Sequence, residues 1–193
     1  GVSFVFFNDK AAAAQSSADL VTNYWNWHPR SHPKRFYEQF GGTAPTHHLY
    51  GLREALDILV HEEGIAAAWA RHQTMSQAVW AAVETWGCLK MNITDATKRS
   101  QAVTTVLSEA DECGRLRAWC ETQAGLTLGV GLGLAEEGEP GWDSVMRIGH
   151  MGHLNPVMLM GALGTIDAGM KAMKMDHGSG ALDAASQVIA NHF

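Results

Sequence analysis

The stretch Val145-Met146-Arg147-Ile148-Gly149-His150-Met151-Gly152-His153-Leu154-Asn155-Pro156 decides the fold class. Val145 to Ile148 is a short, mainly apolar run that reads as a strand. Gly149 to Gly152 supplies a tight turn, and Asn155-Pro156 is an N-cap followed by proline at the first helical position. Behind it Leu159, Leu163, Ile166, Met170 and Met173 fall on one stripe of a helix. Strand, turn and helix in immediate succession are the unit of an α/β lobe.

The same alternation continues outward. Lys90 to Ile93 and Gln101 to Leu107 read as strands, the second rich in Val and Thr. Asp111 to Ala124 reads as a helix with Leu116, Cys120 and Gln123 on one side and Gly125 at its end. Leu126 to Val130 reads as another strand, and Ser179 as the cap of a last helix carrying Leu182, Ala185, Ile189 and Phe193. Upstream, Leu49, Leu52, Leu56, Leu59 and Val60 keep helical spacing up to Gly64. A second helix starts near Ile65, with Trp69, His72, Ser76, Val79, Val83 and Trp86 on one face and Gly87 closing it. Two long helices meeting at one glycine suggest a spine between two lobes. Val2 to Phe7 reads as a core strand, followed by about forty irregular residues of the kind that serve an interface or a site.

Composition narrows the function classes. The chain has 193 residues, 46% hydrophobic and 18% charged, which excludes disorder. Fourteen basic against twenty acidic residues leave −6, so no nucleic-acid or anionic-membrane partner is expected. No apolar run is long enough for a transmembrane helix, and Val2 to Phe7 lacks the basic flank of a signal peptide. Cys88, Cys113 and Cys120 form no disulfide or C-x-x-C pattern, which fits a cytoplasmic protein. Gly1 in place of methionine suggests a piece of something longer.

Two positions invite chemistry. Arg147 interrupts an apolar strand, and a buried arginine needs an anionic partner. Its planar fork suits a ligand carboxylate, and equally an acid of the chain itself. Thr43 sits in Gly41-Gly42-Thr43-Ala44-Pro45 just before a helix, where hydroxyl and N–H groups suit a phosphate, or form only a turn. Tyr24, Trp25 and Trp27 suggest an aromatic wall, an interface anchor or ordinary packing. Gly129 to Gly133 resembles a dinucleotide fingerprint but runs into Glu136-Glu137-Gly138, a turn, so a strand and loop with close backbone approach is the better reading. His47-His48 and His150-x-x-His153 lack companion ligands at metal spacing, so no metal is expected.

Taken in order, several segments carry a family resemblance: Thr43-Ala-Pro-Thr-His-His-Leu-Tyr-Gly-Leu-Arg-Glu-Ala-Leu56, then Glu62-Glu63-Gly64 with Trp69 and His72. Ala102 to Val106, Gly131-Leu132-Gly133 and Met146 to Gly152 complete the set. They resemble the C-terminal half of class V, pyridoxal-phosphate-dependent aminotransferases of the alanine–glyoxylate and serine–pyruvate type.

The resemblance implies an α/β, fold-type I architecture, with residues 1–64 the tail of the large cofactor-binding domain and 65–193 the small C-terminal domain. It implies pyridoxal 5'-phosphate as cofactor, a homodimer, and transfer of an amino group from a small amino acid to a small 2-oxo acid such as glyoxylate or pyruvate. Arg147 would grip the substrate carboxylate, and Thr43 would reach the cofactor phosphate of the neighbouring subunit. Phe40 stands where relatives often carry a phosphate-binding tyrosine, and His150 stands where some relatives carry histidine and others an apolar residue, so the resemblance assigns it no role. The Schiff-base lysine is expected upstream of Gly1, in an N-terminal portion that acts as partner; Lys10, Lys34, Lys90, Lys98, Lys171 and Lys174 stand outside its context. The chain alone is therefore expected to be inactive. The alternative is a non-catalytic carboxylate-binding or interaction module derived from the same fold.

Overall fold

A computed structural model describes residues 2–192. The chain divides into two compact units, Gly1–Ile65 and Ala66–Phe193.

The first unit is made of short helices. Asn8 caps α1 (Asp9–Ser16) by accepting a hydrogen bond from the Ala11 N–H at 3.0 Å. Ala11 to Ala14 supply the strongest helix formers, so this part of the stretch expected to be irregular is ordered. A single turn, α2 (His28–Ser31), and a 3₁₀ turn, Phe36–Phe40, follow. Next comes α3 (Thr46–Leu56), which widens into a π-helical segment, Asp57–Glu63, and stops at Gly64 with φ of 83°. The strand expected over Val2 to Phe7 does not form. Those residues have no sheet neighbour among the described residues, and Phe6 is 94% exposed. None of this unit's described residues is fully buried, while Tyr24, Trp25, Phe36, Tyr37 and Tyr50 face solvent.

The second unit carries the core. Helix α4 (Ile65–Trp86) ends before Gly87, whose φ of 71° suits glycine. It buries Met75, Val79, Ala82, Val83 and Trp86 at spacings of three and four. Trp69, expected on that stripe, lies about 120° round the helix from Met75 and is 70% exposed.

The sheet is antiparallel, in the order β1 (Lys90–Met91), β2 (Val103–Leu107), β4 (Val145–Gly149), β3 (Gly129–Val130). The outer strands β1 and β3 are shorter than their sequence runs. Alternation sends Thr104, Val106, Met146 and Ile148 into the core. That face is covered by α5 (Glu112–Ala124) through Cys113, Leu116 and Cys120, and by α6 (Pro156–Ala172) through Leu159, Leu163, Ile166 and Met170. Gln123, expected on the buried side of α5, is exposed. Asn155 caps α6 as its sequence suggests, accepting from Met158 N–H at 2.9 Å. Ala181 and Ala185 of α7 (Ala181–Ala190) complete the core, with Gly180 rather than Ser179 at the N-cap. Phe193, expected on the stripe of α7, lies outside the described residues.

One polar cluster lies inside this packing. The Trp86 indole N–H donates to Asp167 at 2.9 Å, and Lys171 donates to the other carboxylate oxygen at 2.6 Å. Burial pushes the Asp167 carboxyl up, but those hydrogen bonds and the Lys171 charge outweigh it and hold the group below its ordinary range.

Candidate active site

Arg147 is central in β4, flanked in register by Thr105 of β2 and Gly129 of β3. Because Met146 and Ile148 point into the core, Arg147 stands on the opposite face and is half-buried. The expectation of an arginine inside a buried strand is corrected by this alternation. The side chain runs over β3, where its Nε–H donates to the Val130 carbonyl.

Gly129 makes that path possible. A Cβ there would come within 3.1 Å of Arg147 Cβ and 3.3 Å of its Nε. Close approach at Gly129 is the sequence reading of the glycine run, and the same holds at Gly131, where a Cβ would meet the Val145 side chain at 2.6 Å. Among the described residues, the terminal guanidinium nitrogens of Arg147 have no hydrogen bond and no ion pair. The reading of Arg147 as half of an internal salt bridge therefore falls away, and its fork is open to an external anion.

The turn after β4 is held from two sides. His150, 1% exposed, bonds through its backbone N–H to the Ala102 carbonyl at 2.9 Å and through its ring to Gln101 and Thr104. The Arg71 guanidinium donates to the carbonyls of Gly152 at 2.8 Å and Leu154 at 3.1 Å. Sequence reasoning missed Gly129 as Arg147's partner, and missed Arg71, Thr104 and Trp80, whose indole N–H donates to Thr104 Oγ1 at 3.0 Å. These residues are far from β4 in the chain and reach it only through the packing of α4 and the pairing of the sheet.

Thr43 lies in the first unit and Arg147 in the second. Thr43 is exposed in a bend three residues before α3. The N-cap of α3 is Pro45, which offers no side-chain acceptor; the Thr46 N–H donates to the Ala44 carbonyl at 2.9 Å, and the N–H groups of His47 and His48 have no side-chain cap. Gly41, at φ of 68°, packs on the Arg30 guanidinium, which itself binds the carbonyls of Asn23, Tyr24 and Asn26. Phe40 is half-buried and edge-on to Phe36, with ring centroids 5.4 Å apart. It offers no hydroxyl.

Burial pushes the Cys113 and Cys120 thiols up to about 11, so neither is a thiolate near neutrality. His47 and His48 are exposed on α3, whereas His150 spends both ring nitrogens on this chain. All six lysines are exposed. No helix among the described residues is long and apolar enough to cross a membrane.

A small antiparallel sheet backed by helices, after a helical first unit, is the fold found in the C-terminal half of solved fold-type I aminotransferases. The ureidoglycine–glyoxylate aminotransferase of Bacillus subtilis superposes with a TM-score of 0.75 at 23% identity, over 96% of this chain and 47% of that one. Sequence likeness carries the assignment further. Serine–glyoxylate aminotransferase of Methylorubrum extorquens is 32% identical over 94% of this chain and 44% of its own length. The Arabidopsis thaliana enzyme of the same name is 31% identical over 100% of this chain and 46% of its own length. No protein-family model matches. Over nearly its whole length the chain is similar to class V, pyridoxal-phosphate-dependent aminotransferases, and it spans about half the length of the curated relatives it matches.

Proposed function

We propose that this chain supplies the carboxylate-binding half of a class V aminotransferase that moves an amino group from a small amino acid to glyoxylate or a similar 2-oxo acid. The observation that carries the reading is Arg147. It is a half-buried arginine threaded past Gly129, fixed at Nε by Val130, with its terminal nitrogens unpaired among the described residues. Two parallel N–H donors of fixed spacing match a carboxylate.

The residues present fit one end of the cofactor. The exposed Thr43 hydroxyl, beside the uncapped first turn of α3, suits its phosphate; Phe40 offers that phosphate nothing. Pyridoxal phosphate, when bound, supplies the electron sink for bond changes at the substrate's α-carbon. Arg147 holds the substrate by its carboxylate, which limits how the α-carbon can be presented. The clamped turn after β4 keeps that grip in place.

None of the six exposed lysines has the desolvated setting that activates an amine. The Schiff-base lysine is therefore assigned to an N-terminal portion, without which this chain is inactive. In this reading residues 1–64 belong to the large domain and 65–193 to the small one. The exposed aromatic residues of the first unit pack against that N-terminal portion and a second subunit, in a cytoplasmic homodimer.

The test is co-expression with an N-terminal aminotransferase portion bearing the lysine. Transamination of serine or alanine with glyoxylate is expected only for the pair, and Arg147→Gln is expected to lower kcat/KM at least about thirtyfold. Turnover by this chain alone with added cofactor would refute the division of labour, and an unimpaired Arg147→Gln pair would refute the assignment of the arginine.

A further inference from the structure

We propose that His150 is a positioning residue for Arg147, a neutral, single-tautomer clamp between β2 and the end of β4 that fixes the register in which Arg147 is presented. The inference rests on the reading of Arg147 as the carboxylate grip.

Chemistry orders the hydrogen bonds around His150. The Gln101 carbonyl, 3.1 Å from Nδ1, can only accept, so Nδ1 carries the proton. Trp80 Nε1, 3.0 Å from Thr104 Oγ1, can only donate, so the Thr104 oxygen accepts from it and keeps its own hydrogen available for His150 Nε2, 2.8 Å away. In the neutral ring that burial favours, with the proton on Nδ1, Nε2 is the acceptor of that hydrogen. Burial and the nearby His72 both lower the tendency of His150 to take a second proton.

The place of this clamp matters more than its strength. His150 follows the last residue of β4, and its backbone N–H to Ala102 extends the β2–β4 ladder by one step. With its ring bonds it makes three contacts to residues 101–104. The adjoining pairs are Val103 with Gly149, Thr104 with Ile148, and Thr105 with Arg147. A slip of one residue would carry Arg147 from the open face into the core. Burial of Met146 and Ile148 already sets which face of β4 turns inward. His150 and Thr104 add a side-chain lock on the core face, and Arg147 reads out its effect on the other.

The experiment follows the Arg147 Nε–H in the ¹H–¹⁵N spectrum of the 193-residue chain, together with its affinity for pyruvate. Wild type is compared with His150→Leu and the near-isosteric Thr104→Val, well below each melting transition. Both variants are expected to expose the Arg147 Nε–H to solvent exchange and to weaken pyruvate binding about tenfold. An Nε–H that keeps its shift and protection in both variants overturns the proposal, even where their melting temperatures fall. If wild type binds no pyruvate while the variants still release the Nε–H, the carboxylate reading falls and the positioning role stands. If pyruvate binds through Arg147 and neither variant changes binding or Nε–H, the positioning role falls and the carboxylate reading stands.

Discussion

Gly129 lies directly opposite Arg147 in the β3–β4 ladder, and the arginine side chain occupies the space that a residue with a Cβ would fill. The site is therefore built as much from an absent side chain as from a present one. Gly129→Val should displace the guanidinium from Val130 and cost about 1–3 kcal/mol of stability through overpacking. Gly129→Ala requires a shift of only a few tenths of an ångström and should cost less. Thermal unfolding of the two variants, with carboxylate titration alongside, checks both the order and the coupling.

The glycines should not respond alike. A Cβ at Gly178 would overlap the Thr85 carbonyl oxygen, a backbone atom that cannot step aside. Gly178→Ala is expected to destabilise by at least about 1–3 kcal/mol. Gly161 is exposed within α6, and a methyl group added there would meet nothing within 4 Å. Gly161→Ala should therefore stabilise by about 0.5–1 kcal/mol. Denaturant midpoints of opposite sign would bear this out; equal shifts would not.

Asp167 makes a prediction about acid. Its folded pKa is depressed, so the stability it contributes is present above its unfolded value of about 3.9 and is lost as pH falls through the folded value. Asp167→Asn keeps an acceptor for the Trp86 N–H and should flatten stability against pH in that acid range. An unchanged acid slope would show that Asp167 is not the group responsible.

His150 titrates with the other sign of cause. Its folded pKa lies below the unfolded value of about 6.5, so the unfolded chain takes up the proton first. Stability should decline as pH drops from about 6.5 toward the folded value, and His150→Gln should remove that part of the decline. Melting temperature measured across this interval, wild type against variant, reads the difference.

How much of this was legible in the sequence follows from the range of each interaction. The ends of α4 and α5 were readable because Gly87 and Gly125 act on their own backbone, at φ of 71° and 67°. The Asn155 cap was readable for the same local reason. Val2 to Phe7 misled because a strand needs a neighbour, and apolar composition does not supply one. Trp69 misled because the buried face of α4 was set by packing around Met75 and Val79, not by the most hydrophobic residue nearby. The setting of Arg147 was half legible: its chemistry is in its side chain, but the face it occupies depends on pairing with Thr105 and Gly129. The Trp80–Thr104–His150 chain joins residues 24 and 46 positions apart, and no local pattern announces it.

The most direct test of the central claim is calorimetric titration of glyoxylate or pyruvate into this chain and into Arg147→Gln, at a pH near neutrality. The account predicts saturable binding by the wild type that weakens at least about tenfold in the variant, the loss expected for a charge-assisted pair. Equal affinity in the two proteins would contradict it.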